Sequence, residues 1–165
     1  MKASDISCQA VIMCGISGSG KTRFALELER NGYRRLSTDA VIWNEVGERL
    51  FRLPGEEQSR LFARSRQLVR ARLMDLLKSG EKVVVDATHC RRSARDEMRR
   101  LCAEAGVEHL FIYCRADREE LWRRLSLRKG TGPDDLIVTR EELERYWTGF
   151  ERPQPDETDI IEPAI

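Results

Sequence analysis

Short, uninterrupted apolar runs alternate along this chain with longer segments of helical period. Ala10-Val11-Ile12-Met13-Cys14, Val83-Val84-Val85-Asp86 and Leu110 to Cys114 are such runs, the pattern of strands buried on both faces of a sheet. Residues 33–38 predict a further short strand, and Asp159-Ile160-Ile161 a last one. Between them, Phe24, Ala25, Leu26 and Leu28 predict a helix stopped by Asn31-Gly32. Leu61, Ser65, Leu68, Arg72, Leu73, Leu76 and Leu77 recur at helical spacing up to Ser79-Gly80. A further helix is expected over residues 93–105, with Gly106 as its stop. Asp117-Arg118-Glu119-Glu120 and Thr139-Arg140-Glu141-Glu142 read as capping boxes, opening helices that end near Arg128 and Gly149. The stretch 129–135 is the most loop-like and is expected to be mobile. Strands alternating with helices predict an α/β fold, a parallel five-stranded sheet flanked by helices with right-handed crossovers.

The 165 residues suit one domain spanning the whole chain, without internal repeat or low-complexity linker. Net charge is +1 although 35% of residues are charged, which excludes the strongly basic footprint of a nonspecific nucleic-acid binder. No run reaches the roughly 18 apolar residues of a membrane span, and Met1-Lys2-Ala3-Ser4-Asp5 lacks the apolar core of a signal peptide. A cytoplasmic protein with no membrane partner is expected. Cys8, Cys14, Cys90, Cys102 and Cys114 form no CxxC pair. Cys14 and Cys114 read as small buried hydrophobes, no pattern supports a catalytic role for Cys90, and His109 opens a strand. Nothing marks an oligomeric state.

Chemistry enters directly after the first apolar run. Gly15-Ile16-Ser17-Gly18-Ser19-Gly20-Lys21-Thr22 is a complete GxxxxGK[ST] phosphate loop between a strand and a helix. Its glycines let backbone N–H groups turn inward as an anion nest at a helix N-terminus. Gly15, Ser17, Gly18, Ser19 and Gly20 are the expected cradle of ATP; Lys21 reaches the β- and γ-phosphates, and the Thr22 hydroxyl is the usual ligand of Mg²⁺. Asp39, just past the second strand, is the candidate general base, and Ser37-Thr38-Asp39 equally suits the N-cap of a helix over residues 40–47; the two roles are compatible. Asp86 closes a strand, either holding Mg²⁺ or its water shell or serving as a turn residue. Arg124 and Arg128, at i and i+4, are expected on one helix face, where their charge closes over the triphosphate.

The ordered set of the phosphate loop, Leu36-Ser37-Thr38-Asp39, Val84-Val85-Asp86-Ala87-Thr88-His89 and Arg124-Leu125-Ser126-Leu127-Arg128 resembles the AAA-type P-loop kinase family, which includes polynucleotide kinase and zeta-toxin-like kinase domains. Phe150-Glu151-Arg152-Pro153 resembles that family's FE-x-P ending, so the likeness covers nearly the whole chain. It implies a three-layer P-loop NTPase fold with an arginine-bearing lid. It further implies Asp39 as base, Lys21 and Thr22 as phosphate and metal contacts, and Arg124 with Arg128 as lid arginines. Two positions depart from the family. Polynucleotide kinases usually carry an arginine three residues after the aspartate, where this chain has Ile42. The family's Asp-Ala-Thr-Asn segment here ends in His89, which either contacts the acceptor or is an exposed loop residue. Arg91, Arg92 and Arg95 remain available to an anionic acceptor. Trp43, with Asn44 and Glu45, either faces the acceptor or fills core.

The implied activity is ATP- and Mg²⁺-dependent phosphoryl transfer to a hydroxyl of a small-molecule acceptor. The alternatives are a kinase of 5′-hydroxyl RNA or DNA ends and, from another class, a non-catalytic ATP-responsive binding module. Preference between ATP and GTP stays open, since no guanine-reading sequence occurs.

Overall fold

The structure is a computed structural model that describes residues 1–163. Its centre is a five-stranded, all-parallel sheet in the order β2-β3-β1-β4-β5. The strands are β1 (Ala10–Cys14), β2 (Arg34–Ser37), β3 (Val83–Asp86), β4 (His109–Tyr113) and β5 (Ile160–Ile161). The helices are α1 (Lys21–Arg30), α2 (Thr38–Val46), α3 (Gly55–Lys78), α4 (Arg92–Ala105), α5 (Arg118–Leu125) and α6 (Arg140–Gly149).

The period-two geometry of a strand sends β1 into two cores at once. Val11 and Met13, with Val84 and Ile112, pack on Phe24, Ala25 and Leu28 of α1. Ala10 and Ile12, with Val83, Val85 and Phe111, pack on Val69, Leu73, Leu76 and Leu77 of α3 and on Met98 and Cys102 of α4. Every residue of β1 and β3 is buried, which explains why both runs are continuous rather than alternating. All five cysteines are free thiols, and among the described residues no helix is long and apolar enough to cross a membrane.

Several local expectations are corrected. On α3 the buried stripe passes through Val69, while Leu68 is 51% exposed and Arg72 is exposed. The second strand is shorter than 33–38, because Tyr33 turns inward to donate its hydroxyl to the Cys8 carbonyl at 2.7 Å and Thr38 already begins α2. Asp117 caps α5 by accepting the Glu120 N–H, but the Glu120 carboxylate turns to Arg123 and Arg124, so the box is not reciprocal. The box at Thr139 and Glu142 is complete. Helix α5 ends at Leu125, so Arg128 lies beyond it and shares no helix face with Arg124. In the loop-like stretch, Asp135 accepts from the N–H groups of Lys129 and Thr131 and from the Thr131 hydroxyl, closing a tight turn.

Candidate active site at the phosphate loop

The carboxyl ends of β1, β2 and β3 deliver the phosphate loop, Asp39 and Asp86 to one edge of the sheet, the crevice where open α/β sheets bind ligands. Gly15 leaves β1 with φ +141°, and a Cβ there would lie 2.3 Å from the Cys114 carbonyl oxygen, so only glycine fits. Its N–H donates to the Thr88 carbonyl at 3.0 Å, so Gly15 shapes the loop rather than offering an anion donor. Gly20, with φ +101°, starts α1 without a side-chain cap. The N–H groups of Gly18, Gly20, Lys21 and Thr22 find no backbone acceptor among the described residues. An uncapped helix start surrounded by free N–H groups is built for an anion.

Side chains around the loop are similarly uncommitted. The Ser19 hydroxyl is buried with no hydrogen-bond partner; such orphans are costly unless a ligand meets them. Ser17 and Thr22 are half-buried, and the Thr22 hydroxyl makes no hydrogen bond among the described residues. Lys21 is buried and donates Nζ to the Ile16 carbonyl at 3.0 Å. Burial holds its pKa below the usual lysine range, with Asp86 pulling the other way. From α5, Arg124 reaches the loop, donating Nη1 to the Gly18 carbonyl at 3.1 Å and Nε to Glu120 at 2.7 Å.

Asp39 occupies the first turn of α2, where Ser37 accepts the Ala40 N–H at 3.2 Å as N-cap. Capping and placement of the carboxylate therefore hold together. That carboxylate accepts no hydrogen bond among the described residues. Burial pushes its pKa up to about 6, Asp86 and Asp134 add to the rise, and Lys21 and Arg128 oppose it. Arg128 therefore lies within electrostatic reach of Asp39 although it has left the helix; its Nη1 donates to the Leu136 carbonyl at 3.1 Å.

Asp86 is 6% exposed and is more than a turn residue. Its Oδ2 accepts from Nε and Nη2 of Arg35 at 3.0 and 2.7 Å, a pairing that sequence spacing did not signal. Among the described residues no group of three or more His, Cys, Asp or Glu side chains could hold a metal ion. Mg²⁺ keeps most of its waters and takes one or two protein ligands beside substrate phosphates, so a site for it would ask no more of this chain than the Thr22 hydroxyl and the Asp86 carboxylate.

Other candidates are redirected. His89 is buried, with Nδ1 at 2.7 Å from the Met13 carbonyl, so it is not an exposed loop residue. Burial lowers its pKa to about 4, leaving a neutral ring whose Nδ1–H donates to that carbonyl. Arg95 is fully buried against Glu157, and also donates to the carbonyls of His89 and Glu151. Arg92 is bound by Asp156 at 3.0 and 2.6 Å. Arg95 is therefore not free for an anionic acceptor, whereas the Arg92 pair lies at the surface. Ile42 is 1% exposed in an apolar cluster with Leu50 and Leu136, which Trp43 and Phe51 join. Trp43 therefore fills core between α2 and the segment after Arg128. Phe150 of the FE-x-P ending stacks on Tyr113 with ring centroids 5.8 Å apart.

The AAA domain family matches residues 11–153. No curated protein matches significantly. Among solved structures, a gluconokinase from Sinorhizobium meliloti 1021 superposes with TM-score 0.64 at 22% identity, over 93% of this chain and 80% of that one. The Pnkp1/Rnl/Hen1 RNA repair complex contains a chain matched with TM-score 0.65 at 24% identity, over 85% of this chain but 43% of that one. Chaetomium thermophilum Kti12, solved with ADP-AlF3, matches with TM-score 0.63 at 16% identity, over 94% and 88%. With the phosphate loop, the all-parallel sheet and a match over most of its length, the chain belongs to the AAA domain family and has the fold of the AAA-type P-loop kinases.

Proposed function

We propose that the chain is an ATP-dependent phosphotransferase that moves the γ-phosphoryl group to a hydroxyl of a small-molecule acceptor. The observation that carries this reading is Asp39: a carboxylate at the N-terminus of α2 without hydrogen-bond partner among the described residues, within the field of Lys21 and Arg128, with a pKa raised to about 6. A base poised near neutral pH is what proton removal from a hydroxyl needs. A phosphate loop that only switched a partner would have no use for it. The ADP-AlF3 bound to Kti12 and the gluconokinase likeness support the same chemistry.

In this reading the free N–H groups and the Ser19 hydroxyl take phosphate oxygens. Lys21 exchanges the Ile16 carbonyl for the β- and γ-phosphates, and Arg124 leaves the Gly18 carbonyl for the transferring group. Thr22 and Asp86 would hold Mg²⁺, which supplies charge neutralisation across the β- and γ-phosphates. Asp39 orients the acceptor hydroxyl and takes its proton while the new O–P bond forms and the bond to the β-phosphate oxygen breaks, releasing ADP. Arg128 keeps Asp39 ionised enough to act.

The test is transfer of labelled γ-phosphate to a panel of hydroxylated metabolites and to a 5′-hydroxyl oligonucleotide. Lys21→Ala is expected to abolish transfer; Asp39→Asn keeps ATP binding and loses transfer. Full activity in Asp39→Asn refutes the base assignment. The polynucleotide reading has the Pnkp1 likeness behind it, but Ile42 is sealed in an apolar cluster and offers no phosphate contact. Asp39-dependent labelling of the oligonucleotide would reinstate it. ATP binding without transfer to any hydroxyl would favour the switch.

A further inference from the structure

One guanidinium joins two parts of this site. Arg35, on β2, has a side chain only 11% exposed between Asp86 and Asp134. Its Nε and Nη2 both donate to Oδ2 of Asp86, at 3.0 and 2.7 Å; Nη2 also donates to Asp134 Oδ1 at 2.5 Å, and Nη1 to Asp134 Oδ2 at 3.4 Å. The strand register explains the first contact. Arg35 is paired with Val84 and Ser37 with Asp86, so Arg35 and Asp86 are diagonal neighbours on one face of the sheet. Asp134 arrives from elsewhere, in the turn Pro133–Asp135 that packs against α2 just beyond Arg128.

We propose that Arg35 is a positioning residue for phosphoryl transfer: it presents Asp86 to Mg²⁺ and ties the segment 126–138 to that same carboxylate through Asp134. This inference rests on the nucleotide and metal reading above. Both Arg35 contacts fall on Oδ2 of Asp86, and Oδ1 is left without a partner among the described residues. Two donors on one oxygen hold that oxygen in place and leave the other for a metal-bound water. Groups behind a ligand that fix its orientation matter nearly as much as the ligand itself. The planar, two-armed guanidinium serves two carboxylates with N–H groups from separate nitrogens held in fixed geometry, which the single nitrogen of an ammonium cannot do. Charge makes the link two-way. A cation at Asp86 weakens that carboxylate's hold on Arg35 and leaves more of its charge to Asp134. Metal entry and retention of the segment that carries Arg128 then favour each other, as any such coupling must.

The experiment titrates ADP carrying a fluorescent ribose label onto the full chain, with and without Mg²⁺, and follows trypsin cleavage between Lys129 and Gly130 by mass spectrometry. Arg35→Lys keeps the charge and loses the fork. Its metal-free ADP binding should be unchanged, while the Mg²⁺ needed for half-maximal enhancement rises about 10- to 100-fold, the usual loss on removing an outer partner of a metal ligand. Unchanged or tighter Mg²⁺ dependence overturns the proposal. Asp134 is 40% exposed, so Asp134→Asn should fold even where Arg35→Lys does not. With ADP and Mg²⁺ bound, its cleavage at Lys129 should be about tenfold faster than in the unaltered chain, the mark of a segment whose local opening has become easier. Equal protection overturns the link to the lid. Lys21→Ala serves as control: if it leaves ADP binding untouched, the nucleotide reading itself has failed, and this inference with it.

Discussion

Asp39 holds its charge in a place that disfavours it. A pKa raised from 3.8 to about 6 corresponds to about 3 kcal/mol of stability withheld above pH 6. For this carboxyl the destabilisation is complete above the folded value and disappears as pH falls towards 3.8. His89 works in the opposite sense. Its pKa drops from 6.5 to about 4, so its neutral, buried ring contributes stability that is present above 6.5 and lost as pH falls towards 4. The two effects oppose each other over the same window. Asp39→Asn should therefore raise the melting temperature at about pH 8 and make the chain lose stability more steeply than the unaltered chain between about pH 6.5 and 4. Thermal unfolding across that range checks both signs. In the unaltered chain kcat/KM should fall on the acid side with an apparent pKa near 6, because this ratio reports the free enzyme's base. His89 also shows why the motif alone misled: it has φ +41°, a left-handed conformation asparagine adopts more readily than histidine, and what keeps it there is a bond to Met13 far away in sequence.

Helix α5 illustrates how one boundary changes a site. Spacing places Arg124 and Arg128 on one helix face, but the helix stops at Leu125. The two arginines consequently do different work. Arg124 sits on the Gly18 carbonyl, whereas Arg128 sits near Asp39 and lowers its pKa. Arg128→Ala should move the acid limb of kcat/KM to higher pH, since a cation that favours the ionised base is gone. Arg124→Ala should leave that limb in place and weaken triphosphate binding. A pH profile of both variants separates the roles, and equal shifts would contradict them. At the phosphate loop, Gly15→Ala should abolish nucleotide binding, because the added Cβ meets the Cys114 carbonyl at 2.3 Å and backbone cannot yield as a side-chain tip can.

Across the whole molecule, a buried ion pair closes the far side of the sheet. Arg95 on α4 and Glu157 have fully buried side chains, and Arg99 joins them with Asp159 and Asp96. The Arg95 bonds hold Glu157 at a pKa of about 2. That depressed carboxylate contributes stability present above 4.5 and lost as pH falls through about 2. Arg95 also binds the Glu151 carbonyl, so this network fixes the segment that carries Phe150 to α4. Glu157→Gln leaves a buried guanidinium short of its counter-ion and should cost about 3–5 kcal/mol. For a domain of this size that is a fall of roughly 10 °C in melting temperature, measurable by calorimetry.

The strand runs, the glycine loop and the cap at Ser37 are legible in the residues alone, because each depends on neighbours within a few residues. Alternation of strand and helix then led to a parallel sheet, since short right-handed crossovers leave little else. Assembly of the sheet settles which of the many arginines come to the loop edge, as it settles the position of Asp39, and which brace the far side of the fold. Arg35 finds Asp86 and Asp134, and Arg95 finds Glu157, across separations of 51, 99 and 62 residues. Charged side chains carry no periodic signal of their partners. They are chosen by proximity after the sheet has formed, and burial then converts an ordinary pair into a fixed one.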